Sequence, residues 1–124
     1  VKAYREMLAW RAETGADALR ESVAELPWSQ DELPWLDVIL AVLPLDIDAG
    51  RAPDGHVVWL ELAGRLDVQR FMQIPDAKFR DSFNSLMELR TKVLDEMSEE
   101  QGRLIKVTQV RDLRGFSSVY MSLI

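Results

Sequence analysis

The fold is decided by two stretches, HVVWLEL at residues 56–62 and LIKVTQV at residues 104–110. Both are rich in β-branched and other apolar residues, a composition typical of buried strands. Between them, apolar side chains recur at steps of three and four over residues 76–101, which predicts a long amphipathic helix that ends at Gly102. Because a strand, a helix and a strand in this order pair the two strands in parallel, the sequence predicts a βαβ unit.

Upstream of this unit the sequence predicts mainly helices. Apolar residues near a 3.6-residue period indicate a helix over residues 2–13, with Gly15 as its stop, and a second short helix over residues 17–26. The dense apolar stretch at residues 35–43 predicts a short buried helix before Pro44. Residues 46–55 are rich in Asp, Gly and Pro, so we expect a surface loop there.

The predicted fold class is α/β, with amino-terminal helices followed by the start of a mostly parallel sheet. Two parallel strands do not make a stable sheet, so further strands are expected after Ile124 and the chain is expected to be truncated. Ser117 or Ser118 is predicted to cap a last helix. The predicted division is a helical region at 1–45 and an incomplete ligand-binding domain at 46–124.

Composition excludes several classes of function. The chain has 15 Lys and Arg against 21 Asp and Glu, a net charge of -6, which argues against a general nucleic-acid binder. It has no Cys, which removes disulfides and thiolate chemistry and favours a cytoplasmic location. No apolar run reaches the roughly 18 to 20 residues that a membrane-spanning helix needs.

Motifs for catalysis are also missing from the sequence. Its glycines are scattered, with neither a phosphate-binding loop nor a nucleophile elbow, and no catalytic residue is predicted. His56 is the only histidine, so an ordinary zinc site is not expected and a surface role is favoured. We therefore expect neither an enzyme nor a metal or other cofactor.

Three blocks of sequence resemble the CRAL-TRIO family, the lipid-exchange domains found in phosphatidylinositol- and tocopherol-transfer proteins. The first is Trp10-Arg11 with Gly15 and Asp17; the second is DGHVVWLELAGRLD at residues 54–67, similar to a family strand that begins Asp-Gly and ends in Gly. The third, TQVRDLRGFS at residues 108–117, looks like the strand that leads into Asp-Leu-Lys-Gly and is the most diagnostic. The resemblance covers the helical region and the first half of the lipid-binding part.

The resemblance implies an apolar pocket with the sheet as its floor, holding one lipid. Carried over position by position, it implies ligand contacts from Ile47, Trp59, Phe83, Val107 and Gln109; Met87 joins them because Met lines adaptable apolar sites. Val107 and Gln109 stand where the phosphatidylcholine-binding members of the family have Ser and Thr, so the resemblance does not imply their phosphocholine contact for this chain.

The residues themselves leave a second interpretation open for each position. Trp59, Phe83 and Met87 are equally ordinary core side chains. Gln109 lies on a strand predicted to be buried, where its amide needs backbone, water or a headgroup as partner. Asp112 and Gly115 are predicted to be structural: the carboxylate accepts hydrogen bonds from free turn amides, and glycine permits a tight backbone conformation.

Three functions are compatible with this sequence. The first is binding, with or without intermembrane transfer, of a phosphatidylinositol-like phospholipid or another lipophilic molecule, with transient peripheral membrane contact and no nucleic-acid partner. The second is an interaction or membrane-targeting module with a filled pocket. The third is part of an α/β enzyme whose active site lies downstream, since ligands of open α/β sheets bind at the carboxyl ends of strands.

Overall fold

The structure is a computed structural model that describes residues 1–27 and 36–116. Its helices are α1 (Lys2–Thr14), α2 (Ala16–Ser22), α3 (Leu36–Leu40), α4 (Val68–Phe71) and α5 (Asp76–Gln101). Its strands are β1 (Leu45–Arg51), β2 (Val57–Glu61) and β3 (Val107–Arg111), and a short 3-10 turn covers Ala63–Arg65.

The βαβ unit predicted from the sequence is confirmed, and with it the α/β class. Strand β2 pairs in parallel with β3, and the register places Trp59 beside Gln109. The crossover helix α5 ends where expected: Gly102 has a φ of 61°, and its amide donates to the carbonyl oxygens of Ser98 and Glu99. This left-handed cap favours glycine because glycine has no Cβ to clash.

The surface loop predicted at residues 46–55 is wrong over its first half. Residues Leu45–Arg51 form β1, which pairs antiparallel with β2, so the three-stranded sheet is mixed and has the order β1-β2-β3. The missed signal is alternation: Leu45 and Ile47 are buried while Asp46 and Asp48 are exposed, the period of a strand with one covered face. The register shifts between Asp46 and Gly50, as a bulge would produce.

The hydrophobic core lies between one face of this sheet and the helices. Leu45 and Ile47 of β1, and Trp59 of β2, point to this face and pack with helical side chains. The other members of the cluster are Leu36 and Ile39 of α3, Leu86 and Leu89 of α5, and Val23, which directly follows α2. The same face carries Val107 and Gln109 of β3, because neighbours in register across a parallel pair point to the same side.

Helix α5 buries part of its apolar face and leaves another part open to solvent. Ser82, Ser85, Leu86 and Leu89 are buried, whereas Phe83 remains 41% exposed. The predicted apolar stripe is therefore divided: Leu86 lies in the core, Met87 packs against it, and Phe83 is partly open to solvent.

Some predictions lie outside the described residues. The last helix capped by Ser117 or Ser118 falls there, as does Trp35 at the start of the predicted buried helix. The division of the chain at residues 45 and 46 stays a prediction.

Candidate functional site

The six residues expected to contact a ligand divide into three groups. Ile47 and Trp59 are each 1% exposed and lie in the core under the helices, and Val107 is half-buried against that core. Gln109 is exposed rather than buried, and its Nε2 donates to Oε1 of Glu61 at 2.5 Å. Phe83 and Met87, on the flank of α5, line cavities at the surface.

The larger cavity is an apolar groove of about 560 Å³ at the junction of α4 and α5, and we call it the aromatic groove. Its walls come from the end of α4, the connection to α5 and the first two turns of α5. The lining residues are Phe71, Met72, Ile74, Asp76, Phe79, Arg80 and Phe83. Its apolar lining leaves large side chains in water: Met72 is 68% exposed and Phe71 is 37% exposed.

Aromatic packing gives this groove its shape. The rings of Phe71 and Phe79 meet edge to face, with centroids 4.9 Å apart and an interplanar angle of 89°. Phe79 and Phe83 lie one helical turn apart on α5, with nearly parallel rings and centroids 6.2 Å apart. Three phenyl rings thus form a continuous row held by the preferred geometries of aromatic pairs.

Sequence reasoning found Phe83 but missed the other side of this groove. Phe71, Met72 and Ile74 lie in a segment of short helix and turn, where no periodicity singles them out. The available signal was composition: FMQI at residues 71–74 is a strongly apolar group immediately before Pro75, which starts a helix.

A second cavity of about 240 Å³ lies beside the first, where α1 and α2 meet α5. Phe83 lines both cavities, and Met87 lines the second with Trp10, Thr14, Ala16, Leu19, Asn84 and Glu88. The predicted contacts Phe83 and Met87 lie one turn apart on α5, and residues of α1 and α2 complete the cavity that both of them line.

Charged contacts hold the amino-terminal helices against α5. The Nη1 atom of Arg11 lies 3.0 Å from Oε1 of the buried Glu88, and Arg11 also contacts Asp17. The hydrogen bonds that Arg11 donates to these carboxylates, that to Glu88 first, raise the pKa of Arg11. Arg20 donates to Oδ2 of Asp95 at 2.7 Å. In contrast, α1 has no buried residue, so charge rather than apolar burial attaches it.

A polar cluster occupies the carboxyl ends of β2 and β3. Glu61 accepts from Gln109 through one carboxylate oxygen and from Nε of Arg111, at 2.8 Å, through the other. Beside them the guanidinium of Arg90 stacks 5.0 Å from the centre of the Trp59 ring. Burial lowers the pKa of Arg90, and the charge of Glu61 partly opposes this shift.

Asp112 and Gly115 form the turn after β3. Asp112 accepts from the backbone amide of Arg114 at 2.9 Å and from its guanidinium, and these hydrogen bonds lower the pKa of the carboxyl to about 2. Gly115 has a φ of 89° and lies against Gly64. A Cβ on Gly64 would lie 2.1 Å from the Arg114 carbonyl oxygen, so the two turns pack backbone to backbone.

His56 connects two strands in this structure. Its Nδ1 accepts from the amide of Lys106 at 3.2 Å, which joins the start of β2 to the residue before β3. Within residues 1–27 and 36–116, no three His, Cys, Asp or Glu side chains are grouped so that they could hold a metal ion. In the same part of the chain, no helix has the length and hydropathy needed to cross a bilayer.

Comparison with protein-family models, with curated proteins and with solved structures found no match to this chain. The resemblance to the CRAL-TRIO family therefore rests on the three sequence blocks described above.

Proposed function

We propose that this chain binds a lipophilic molecule in the aromatic groove. The observation that carries the proposal is the row of phenyl rings from Phe71 through Phe79 to Phe83, which lines a concave surface of about 560 Å³ and is left in contact with water. Large apolar side chains that remain exposed together in a concavity are typical of ligand-binding sites.

The expected ligand contains a flexible alkyl chain or a comparably apolar body. Burying each methylene stabilises a complex by about 0.8 kcal/mol, so a chain of several carbons offsets much of the entropy lost on binding. Asp76 and Arg80 line the same groove and give it a polar margin.

The resemblance to the CRAL-TRIO family extends this proposal. It suggests a phosphatidylinositol-like phospholipid or a similar lipophilic ligand, a non-enzymatic role, and transfer between membranes through transient peripheral contact from the cytoplasm. In that case the groove is one wall of the lipid pocket.

A second candidate function is an interaction or membrane-targeting module. It is favoured by α1, where Tyr4, Met7, Leu8 and Trp10 are all exposed while no residue of the helix is buried. An apolar helix surface of this kind could dock on a partner or insert into the interfacial region of a bilayer.

Native mass spectrometry after incubation with vesicles of mixed phosphatidylcholine and phosphatidylinositol tests the main proposal. One lipid per chain is expected for the natural sequence, and Phe83→Gln is expected to lower the occupancy because it removes a ring that lines both cavities. Leu104→Gln is the matched control, since Leu104 is an exposed apolar residue outside the lining of the groove.

Thermal unfolding of both variants separates a loss of binding from a loss of fold. Equal occupancy in Phe83→Gln and the natural sequence would contradict the groove as the site. An empty natural protein that still binds the vesicles through α1 would favour the targeting module.

A further inference from the structure

An excess of positive charge collects at one edge of this acidic protein. The net charge of the chain is -6, yet four arginines and two carboxylates gather where β2 and β3 end. The arginines are Arg65, Arg90, Arg111 and Arg114, and the carboxylates are Glu61 and Asp112. These six side chains, four positive and two negative, carry a formal charge of +2, opposite in sign to the net charge of the whole chain, which favours the approach of an anion.

Arg90 is the least compensated charge in this group. Its guanidinium is partly buried against Trp59, and within the described residues it makes no hydrogen bond or ion pair. The indole face offers a cation–π contact but no hydrogen-bond acceptor. Because an arginine stays charged under ordinary conditions, its donors need acceptors from water or from a ligand.

Glu61 does not fill this need. One carboxylate oxygen of Glu61 accepts from Gln109 and the other from Arg111. Glu61 therefore acts on Arg90 by charge–charge attraction and makes no hydrogen bond with it. Glu61 holds Gln109 and Arg111 in place beside Arg90, and the cluster of these four side chains keeps one uncompensated positive charge. Guanidinium groups match the oxygens of phosphate and carboxylate with paired hydrogen bonds.

We propose that Arg90, Arg111 and Gln109 form a binding site for a phosphate-type oxyanion at the carboxyl ends of β2 and β3. Open α/β sheets bind ligands at this end of their strands. Arg90 follows Phe83 by seven residues, so the two lie on one face of α5 and about 10 Å apart along its axis. An amphiphile with its chain at Phe83 would therefore reach Arg90 with its phosphate.

The site is an oxyanion site whether the phosphate belongs to a lipid or is free, and only the assignment to a lipid headgroup rests on the function proposed above. The first arm of the test is a titration with inorganic phosphate at constant ionic strength, with the Arg90 Nε–Hε resonance followed by NMR. Saturable shifts are expected. Arg90→Gln should weaken binding at least about ten-fold, as expected for loss of a charge-assisted contact.

Arg90→Lys keeps the charge without the paired geometry and is expected to retain part of the affinity, read from the backbone amides of β3. Arg5→Gln is the matched control, because it removes one positive charge from the exposed surface of α1. No shift with phosphate, or equal affinities for Arg90→Gln and Arg5→Gln, would overturn the site. Thermal unfolding identifies a variant that fails to fold, and Arg90→Lys then carries the comparison.

The second arm compares octyl phosphate with octanol and inorganic phosphate. If the anion is a lipid headgroup, octyl phosphate binds more tightly than inorganic phosphate, and Phe83→Gln removes this gain while leaving inorganic phosphate unaffected. An affinity no better than that of inorganic phosphate overturns the headgroup assignment and identifies a soluble phosphate ligand. Octanol binding without phosphate binding leaves the aromatic groove standing and overturns the oxyanion site.

Discussion

The two tryptophans Trp10 and Trp59 show how differently the two parts of this molecule are built. Trp59 is 1% exposed and lies between the sheet and α5, whereas Trp10 is 47% exposed on a helix with no buried residue. Apolar burial therefore stabilises the sheet, α5 and the end of α2, where Val23 enters the core, whereas α1 is held by the ion pair of Arg11 with Glu88. The cavity that Phe83 and Met87 line lies between a rigid wall and a more weakly attached one.

Truncation of each tryptophan gives the largest expected contrast. Trp59→Ala should lower the free energy of unfolding by about 3–5 kcal/mol, because it leaves a void in the core and removes the ring under Arg90. Trp10→Ala should lower it by less than about 1 kcal/mol. Urea unfolding measures both, and similar losses would contradict the difference between the two parts.

Breaking the attachment of α1 gives an intermediate effect. Glu88→Gln removes the buried negative charge that pairs with Arg11 and should lower the free energy of unfolding by about 1–3 kcal/mol. This value is at or below the range for a fully buried pair, because the Arg11 side chain is 25% exposed. Faster hydrogen exchange is expected in α1 and α2, with α5 and the sheet unaffected.

Glu6→Gln is the control: it removes the exposed Lys2–Glu6 pair and should change stability by less than about 0.5 kcal/mol. Uniform loss of protection over the whole chain would show that the helices are not an independent unit.

The smallest effect concerns the turn after β3 and appears only in acid. The pKa of Asp112 is about 2 in the folded chain against an ordinary 3.8, because the carboxylate accepts hydrogen bonds from Arg114. Its contribution to stability is therefore complete above its ordinary pKa and is lost as the pH falls from 3.8 towards 2. The difference in stability between the natural chain and Asp112→Asn should shrink through that window. A difference that is constant with pH would show that the carboxylate is not engaged in the folded state.

Elements that follow a strong local rule could be predicted from this sequence. Gly15 and Gly102 end helices as expected, and both adopt left-handed conformations. The β-branched stretch after His56 forms β2, and the period of residues 76–101 gives α5. Strand β1 was not predicted, because the turn-forming Asp and Gly residues favoured a loop over the alternating pattern of Leu45 and Ile47. The burial of these two residues depends on helices distant in the sequence.

The candidate site was less accessible to sequence reasoning. Periodicity placed Phe83 and Met87 on one face of α5 but could not show which residues of the helix are buried. Ser82 and Ser85 are buried, although a polar side chain gives no indication of burial in the sequence. The aromatic groove and the Arg90 cluster arise where elements meet in space. Arg90 becomes notable only once Trp59 lies beneath it and Glu61 is occupied by β3.

The two neighbours of β2 differ in how far along the chain they lie. Arg51 of β1 pairs with Val57 only six residues later, whereas Val107 of β3 pairs with the same residue from fifty positions away. The longer loop raises the entropic cost of closing the second pairing by about 2 kcal/mol relative to the first. Strand β3, which carries Gln109 and Arg111, therefore makes the pairing of higher contact order, and this pairing closes the loop that contains the crossover helix α5.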